Sequence, residues 1–223
     1  MDLIAEIKEI AKKELTDCPA HNFEHVMRVY NMALRLAENQ DVDLEVIKIA
    51  CLLHDIWWMR EMNDPTGNTD HAIESSKMAE PILKSFGIDE EKIRHIQNCI
   101  VTHRYRTWNR PESIEAKIVF DADKIESVGA IWIARAFSWI WKNNANIYKK
   151  ADIEEYAKEN LWGKINWKIQ DKTKHSFHLM YETKDKFIMD FLYTEEAKAI
   201  AKERLEFNEI FIERLEKEVN WDG

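Results

Sequence analysis

One apolar run with two polar residues at its centre constrains this sequence most. Residues 49–59 read IACLLHDIWWM, so only His54 and Asp55 interrupt the apolar side chains. A run this apolar predicts an element that is buried on most sides. Burying an ionised carboxylate is costly, so something must compensate the charge of Asp55. A divalent cation is one candidate, because imidazole and carboxylate are both metal ligands; a His–Asp hydrogen bond that orients a core helix is the other.

The rest of the chain predicts an all-α fold. Five Gly and four Pro among 223 residues argue against a many-turned sandwich or barrel. Apolar residues recur at three- and four-residue intervals, and no alternating strand pattern of useful length occurs. We expect one domain over residues 1–223, with a core at about 20–130 and an aromatic helical extension at about 131–223, in which 142–172 is the least regular segment. The first four predicted helices run from Leu3 to near Pro19 and over Asn22–Glu38, Asp43–Trp58 and His71–Phe86, with a loop at 60–70. Asp89 is the predicted N-cap of a fifth helix that ends at about Thr102, and Pro111 and Ser113 precede a sixth that carries Ile118 to Val128. The remaining predicted helices are Ile131–Trp141, Ile153–Leu161, His175–Leu192 and Glu195–Val219.

Charge and cysteine usage limit the partners and the compartment. The net charge is −9 with both signs interspersed, which leaves no basic surface for a nucleic-acid polymer, whereas a small phosphorylated ligand remains compatible. Three widely spaced cysteines, Cys18, Cys51 and Cys99, predict free thiols in a reducing compartment. The charged first fifteen residues do not resemble a signal peptide, and the apolar stretch Val128–Trp141 is too short to span a bilayer. We therefore expect a cytoplasmic protein without a membrane partner.

A metal site at His54 and Asp55 would need ligands from other helices. His25 lies on the border of the apolar stripe of the second predicted helix, and helices adjacent in sequence usually pack together. Asp121 and Asp123 point about 200° apart on their helix, so one of them can face an ion, and spacing does not choose between them. A zinc-protease motif at His21 and His25 is excluded, because no Glu follows the first His.

These residues resemble a known family. His25, then Leu52-Leu53-His54-Asp55, then Ala122-Asp123-Lys124 is similar to the HD-domain superfamily of metal-dependent phosphohydrolases. The segments 115–124, 129–131, 134–137 and 194–207 resemble one branch of small bacterial and archaeal HD hydrolases, so the likeness extends from about His21 to Trp221. The sequence departs from that branch at Ile125-Glu126 and at Trp132, which puts the shape of the substrate in doubt more than metal binding.

The resemblance implies an HD-type helical bundle with defined roles. His25, His54, Asp55 and Asp123 are expected to bind the metal. Asp121 is expected to support these ligands or to form a salt bridge, and it is the reserve ligand. His71 and His103 match positions of pocket histidines; we expect them to contact phosphate and relay protons, and a second metal is the alternative. Arg28 and Lys124 are expected to hold phosphate oxygens.

The expected activity is hydrolysis of a phosphoester or phosphoanhydride in a small phosphorylated metabolite, foremost a nucleotide (EC 3.1 or 3.6 type). One divalent ion per chain is expected, and mixed N/O ligation favours Mn, Fe, Co, Ni or Zn over Mg. The rivals are a catalytically silent HD domain that acts as a metal- and nucleotide-binding sensor or interaction module, and a helical scaffold without metal. The aromatic C-terminal half could support a homodimer. Four tryptophans could stack on a base, although their helical spacing favours a core role: Trp108, Trp132, Trp139 and Trp141.

Overall fold

The described part of the chain is helical and has no β-strand, which confirms the all-α prediction. A computed structural model describes residues 2–15, 21–64, 68–104 and 109–221. Cys18, Pro19 and Trp108, which carried predictions, lie outside these ranges. The helices are α1 (Leu3–Glu14), α2 (Phe23–Leu36), α3 (Leu44–Leu53), α4 (Trp58–Met62), α5 (His71–Ser85), α6 (Glu90–Thr102), α7 (Ile114–Ile125), α8 (Ala130–Lys142), α9 (Ile153–Asn160), α10 (Phe177–Thr183) and α11 (Glu195–Asn220), with 3-10 turns at Lys172–Lys174 and Asp185–Asp190.

The chain divides into two compact units, and the prediction of a single domain stays a prediction. The first unit comprises Met1–Lys124 with Leu192–Ala197, and the second comprises Ile125–Phe191 with Lys198–Gly223. In the first unit, α3 is the central element and packs against α1, α2, α5 and α6. Every residue from Val46 to Leu53 except Lys48 is buried, as the apolar run predicted. Within the described residues, no helix combines the length and the apolar character needed to cross a membrane.

The helix that carries His54 ends earlier than predicted. The sequence predicted one helix over Asp43–Trp58 and a loop over 60–70, whereas α3 ends at Leu53 and α4 occupies Trp58–Met62. His54 is the C-terminal capping residue of α3, and its Nδ1 lies 2.7 Å from the carbonyl oxygen of Cys51. This bond satisfies a carbonyl that a longer helix would have paired with a backbone N–H. The turn that follows therefore separates His54 and Asp55 from the regular helix.

Side-chain caps explain why other boundaries were predicted well. Asp89 accepts hydrogen bonds from the backbone N–H groups of Glu91 and Lys92 at 3.0 and 2.9 Å, as an N-terminal cap does.

We expect Asp89→Ala to lower the free energy of unfolding by about 1 kcal/mol, because it removes this cap. Urea denaturation measures the loss, with Glu90→Ala as the control because its ion pairs are exposed. Equal stability of both variants would contradict the capping role.

The second unit has its own buried polar contacts. The buried Glu126 lies between two arginines, with its carboxylate oxygens 3.7 Å from Arg135 and 3.9 Å from Arg204. The prediction of one helix over His175–Leu192 was wrong, because α10 ends at Thr183 and a 3-10 turn follows Lys184. The hydroxyl of Thr183 donates to the carbonyl oxygen of Leu179 at 2.6 Å, and such bonds compete with the helical ladder.

The tryptophans of this unit do not form one surface. Trp132 and Trp139 are half-buried, whereas Trp141 is 87% exposed, so the core interpretation was wrong for Trp141. The Trp132 indole donates a hydrogen bond to Asp185, and the Trp139 ring packs edge-on against His175. A role for these rings in base stacking or in a homodimer stays a prediction.

Candidate metal centre

Four side chains of metal-ligand type converge inside the first unit. They are His25 from α2, His54 and Asp55 after α3, and Asp123 from α7. The Nε2 atom of His25 lies 3.7 Å from an oxygen of Asp55 and 3.5 Å from an oxygen of Asp123. The Nε2 atom of His54 lies 3.6 and 4.0 Å from the same two oxygens. His25, His54 and Asp55 lie close enough to one another to hold one ion, and an oxygen of Asp123 adjoins both imidazole nitrogens.

The tautomer of His54 follows from its backbone contact. A carbonyl oxygen only accepts, so the Nδ1 of His54 must carry the proton that it donates to Cys51. In the neutral ring, Nε2 then has a free lone pair directed at the carboxylates. Among the residues that the structure describes, this buried Nε2 makes no hydrogen bond. Metal-binding imidazoles are typically held in this way, with one nitrogen bonded and the other open.

The spacing of these atoms fits a shared cation better than direct hydrogen bonds. Ligand atoms about 2.1 Å from one ion lie about 3.0 Å apart at neighbouring octahedral positions and about 4.2 Å apart at opposite ones. The four separations of 3.5–4.0 Å fall inside that range. At 3.6 Å, His54 and Asp55 are too far apart for the hydrogen bond of the non-metal interpretation. The residues present therefore fit a divalent ion.

Both carboxylates are held in the ionised form. Burial alone would raise the pKa of Asp55, but His54, His71 and His103 hold it well below its usual value. Burial likewise opposes ionisation of Asp123, whereas Lys124 and the neighbouring imidazoles hold its pKa well below its usual value. Ionised carboxylates are the form that binds cations, so both groups are ready to bind without losing a proton.

The structure places the two aspartates of α7 in different surroundings. Asp123 faces His25, whereas Asp121 is fully buried and accepts hydrogen bonds from the backbone N–H groups of Tyr193 and Thr194 at 2.9 and 2.7 Å. The hydroxyl of Thr194 donates to Asp121 as well, at 2.7 Å. Asp121 therefore anchors the 192–197 segment to α7. Spacing alone had left this choice open.

The two cations that were predicted to hold phosphate differ in their contacts. Lys124 is buried, and its Nζ lies 2.6 Å from the second oxygen of Asp123. This ion pair orients Asp123 so that its other oxygen faces His25. Arg28 lies half-buried on α2, one turn beyond His25. His21, the first residue of the excluded protease motif, stacks on Trp58 at 4.0 Å between ring centroids.

Two further histidines border the four-residue cluster. The Nε2 atoms of His71 and His103 are 3.2 Å apart, and His71 Nε2 also lies 3.2 Å from Asp55. His103 repeats the arrangement of His54: it caps the end of α6, and its Nδ1 donates to the carbonyl oxygen of Ile100 at 2.6 Å. Burial opposes protonation of His71, but Asp55 and Glu61 raise its pKa to about 9. Burial, with His54 and His71, lowers the pKa of His103 to about 3.

Comparison with known proteins identifies the domain. The family model called HD domain matches residues 22–128, which contain the four-residue cluster, His71 and His103. A Bacillus thuringiensis protein described as an HD-superfamily hydrolase is 27% identical, with a TM-score of 0.70 over 97% of this chain and 96% of that one. Residues 22–128 of this chain form an HD domain.

Another relative matches over almost the whole chain. The YpgQ protein of Bacillus subtilis is 26% identical over 219 residues, which cover 96% of this chain and 92% of that protein. Its crystal structure has a TM-score of 0.71 at 25% identity and covers 97% of this chain and 95% of YpgQ. A further crystal structure shows YpgQ in complex with ADP, at 24% identity, a TM-score of 0.69 and coverage of 97% and 94%. The chain therefore has the fold of an HD-superfamily hydrolase, with His/Asp clusters that could bind a metal.

Sequence analysis missed one acidic residue beside the HD site. Glu61 lies in a segment that was predicted to be a loop, and its carboxylate contacts both His71 and Arg104. No motif marks it, because the contact depends on α4 bringing the chain back beside the start of α5. The only available signal was that Arg104 directly follows His103.

Proposed function

We propose that this HD domain is a metal-dependent phosphohydrolase that acts on a small phosphorylated metabolite, with a nucleotide as the preferred class. The observation that carries the proposal is the convergence of His25, His54, Asp55 and Asp123, with the lone pair of His54 Nε2 directed at both carboxylates. Two neutral imidazoles and two carboxylates carry a charge of about −2, which matches a divalent cation. They also leave two positions of an octahedral ion open for water and substrate.

The donor set supports a transition metal. Imidazole nitrogen favours Mn, Fe, Co, Ni or Zn, whereas Mg prefers oxygen ligands and retains its water. We propose one such ion per chain, held by His25, His54, Asp55 and Asp123. The chemistry that it supplies is Lewis acidity, which makes water a better nucleophile and offsets phosphoryl charge. Lys124 contributes by holding Asp123, and Arg28 is proposed to contact phosphate oxygens.

His71 and His103 are proposed to handle protons. Nε2 of His103 carries a lone pair, because its Nδ1 proton is committed to Ile100. The contact of His71 Nε2 with this lone pair and with Asp55 is attractive only if His71 Nε2 carries a proton. His71 can therefore donate a proton at Nε2 to a leaving oxygen, and His103 can accept one.

A second ion is the alternative for this pair. Asp55, His71 and His103 also form a group with metal-ligand spacing. A cation there would replace the proton between the two Nε2 atoms. The group offers only one carboxylate, however, and that carboxylate is shared with the first site. This supports one ion and a proton relay over a binuclear centre.

A nucleotide is the preferred substrate because the YpgQ structure contains ADP. We expect the purified protein, loaded with each metal in turn, to release phosphate or pyrophosphate from a nucleotide in a screen of phosphorylated metabolites. Elemental analysis should give about one transition-metal ion per chain. His95→Gln is the histidine control and should keep both metal and activity, because the half-buried His95 contacts Ser113 and Glu115 instead of the cluster.

The same screen decides between the rival functions. Metal and nucleotide binding without turnover would contradict the hydrolase proposal and support a sensing domain. A protein that takes up no ion from any metal solution would contradict both and leave a helical scaffold. Activity on phosphorylated metabolites other than nucleotides would keep the hydrolase proposal and overturn only the substrate class.

A further inference from the structure

Glu61 directs both carboxylate oxygens at groups that surround His71. Its Oε2 atom lies 2.7 Å from Nδ1 of His71 and accepts a hydrogen bond from the backbone N–H of His71, also at 2.7 Å. Arg104 donates to the two oxygens of Glu61 at 2.9 and 3.0 Å, which is a bidentate ion pair. One carboxylate thus contacts the ring of His71, its backbone and a guanidinium.

The arginine fixes this carboxylate from a third segment. Glu61 lies on α4, His71 begins α5, and Arg104 follows α6. Arg104 also lies 3.3 Å from the carboxylate of Asp70, the N-terminal cap of α5. Glu61, Asp70 and His71 are of metal-ligand type, but the guanidinium already supplies the cation between the two carboxylates. The group therefore fits a fixed hydrogen-bonding network better than a metal site.

We propose that Glu61, held by Arg104, is a positioning residue for His71. This inference rests on the proposed function, because it gives the proton-handling His71 its orientation. Facing a carboxylate, Nδ1 of His71 must carry a proton, so the other nitrogen is directed at Asp55 and His103. The arrangement is the counterpart of the carbonyl contacts that orient His54 and His103, with a carboxylate in place of the carbonyl. A carboxylate makes the imidazole more basic than a carbonyl does.

Glu61 does not face the four-residue cluster itself. Its contacts are to Nδ1 and to the backbone of His71, whereas the opposite nitrogen, Nε2, meets Asp55 and His103. Removing Glu61 should therefore leave metal binding by His25, His54, Asp55 and Asp123 intact. It should impair the step that depends on the orientation of His71. Outer-shell partners of this kind are typically worth about 10- to 100-fold in activity.

The test compares Glu61→Ala and Glu61→Gln with Glu80→Gln, which alters an exposed carboxylate paired with Lys84. We expect Glu61→Ala to lower kcat by about 10- to 100-fold, with KM and metal content changed less than about threefold. Glu61→Gln should recover part of the loss, because its amide oxygen can still accept from His71. Glu80→Gln should match the wild type. When His71 is already changed to Ala, the additional change Glu61→Ala should lower kcat no further, because Glu61 acts through the ring that His71→Ala has removed.

A spectroscopic measurement keeps the inference separate from the activity. In the metal-free, nitrogen-15-labelled protein, proton NMR should show a strongly deshielded Nδ1 proton on His71. This signal should disappear in Glu61→Ala. Loss of this signal supports the positioning role even if the wild type hydrolyses none of the substrates screened. An unchanged His71 spectrum in Glu61→Ala would overturn it. Where the wild type does hydrolyse a substrate, an additive loss of kcat in the double variant would also overturn the positioning role.

Discussion

Asp123→Asn is expected to abolish metal binding and lower hydrolysis more than 100-fold, while Asp121→Asn retains both. The two carboxylates lie two residues apart on α7, but only Asp123 faces His25. Residues that only support a metal ligand are worth up to about 100-fold in activity. The loss of activity on changing a residue proposed to bind the ion itself should be larger. Elemental analysis after reconstitution and steady-state kinetics measure the outcome. Retention of metal and activity by Asp123→Asn would contradict its assignment to the site.

Asp121→Asn provides the matched control and has an effect of its own. Asp121 accepts two backbone N–H groups and one hydroxyl, and a neutral amide would direct its own N–H₂ at one of these donors. We expect the free energy of unfolding to fall by about 2–4 kcal/mol, since hydrogen bonds to a charged acceptor contribute about 1.5–3 kcal/mol each. Urea denaturation measures the loss, and unchanged stability would contradict the anchoring role. Asp123→Asn should not show this loss.

The helix boundaries that the sequence predicted best are those with local chemical signals. Asn22 and Asp89 cap α2 and α6, and both starts were predicted to the residue or to the next one. Gly87 has a positive φ of 71°, which explains why α5 ends just before it. Such signals can be read from sequence because cap and helix are neighbours in the chain. The division between α3 and α4 was missed although the contact of His54 with the carbonyl oxygen of Cys51 is equally local, because the apolar run continues past it to Met59.

The sequence predicted the site only where its residues are marked by motifs or by neighbouring residues, and not where contacts between distant segments decide. The resemblance assigned Asp123 a metal role, but periodicity left Asp121 equally eligible, because both flank the same apolar stripe. The difference arises because the backbone N–H of Tyr193, about seventy residues further along the chain, donates a hydrogen bond to Asp121. Glu61 was missed for a related reason: its role depends on Arg104, 43 residues away. Contacts between distant segments decide which of several eligible side chains takes a role.

A buried carboxyl in the second unit should make the stability of this protein depend on pH in an unusual direction. Asp185 is 1% exposed, and one of its oxygens accepts a hydrogen bond from the indole of Trp132 at 2.6 Å. Among the described residues, its other oxygen, Oδ1, makes no hydrogen bond. Burial raises the pKa of Asp185 to about 7, against the opposing effects of Lys184 and the indole. Near neutral pH, the folded protein therefore holds this group partly protonated.

The sign of the effect follows from the direction of the pKa shift. A carboxyl whose pKa is higher in the folded protein than in the unfolded chain binds more protons when folded, so its contribution favours folding at low pH. That contribution is complete below the unfolded value of 3.8 and is lost as the pH rises to about 7. A difference of about 3 pKa units corresponds to about 4 kcal/mol. Most carboxyls that form ion pairs have the opposite dependence.

Asp185→Asn should remove this dependence, because an amide has the shape of the protonated acid and its oxygen can still accept from Trp132. We expect the variant to be more stable than the wild type by about 2 kcal/mol at pH 5 and by about 4 kcal/mol at pH 8. Urea denaturation followed by tryptophan fluorescence and circular dichroism at both pH values measures the difference. The control is Asp190→Asn, which alters an exposed carboxyl and should match the wild type at both. A stability gain that does not grow with pH would show that packing, instead of the raised pKa, governs Asp185.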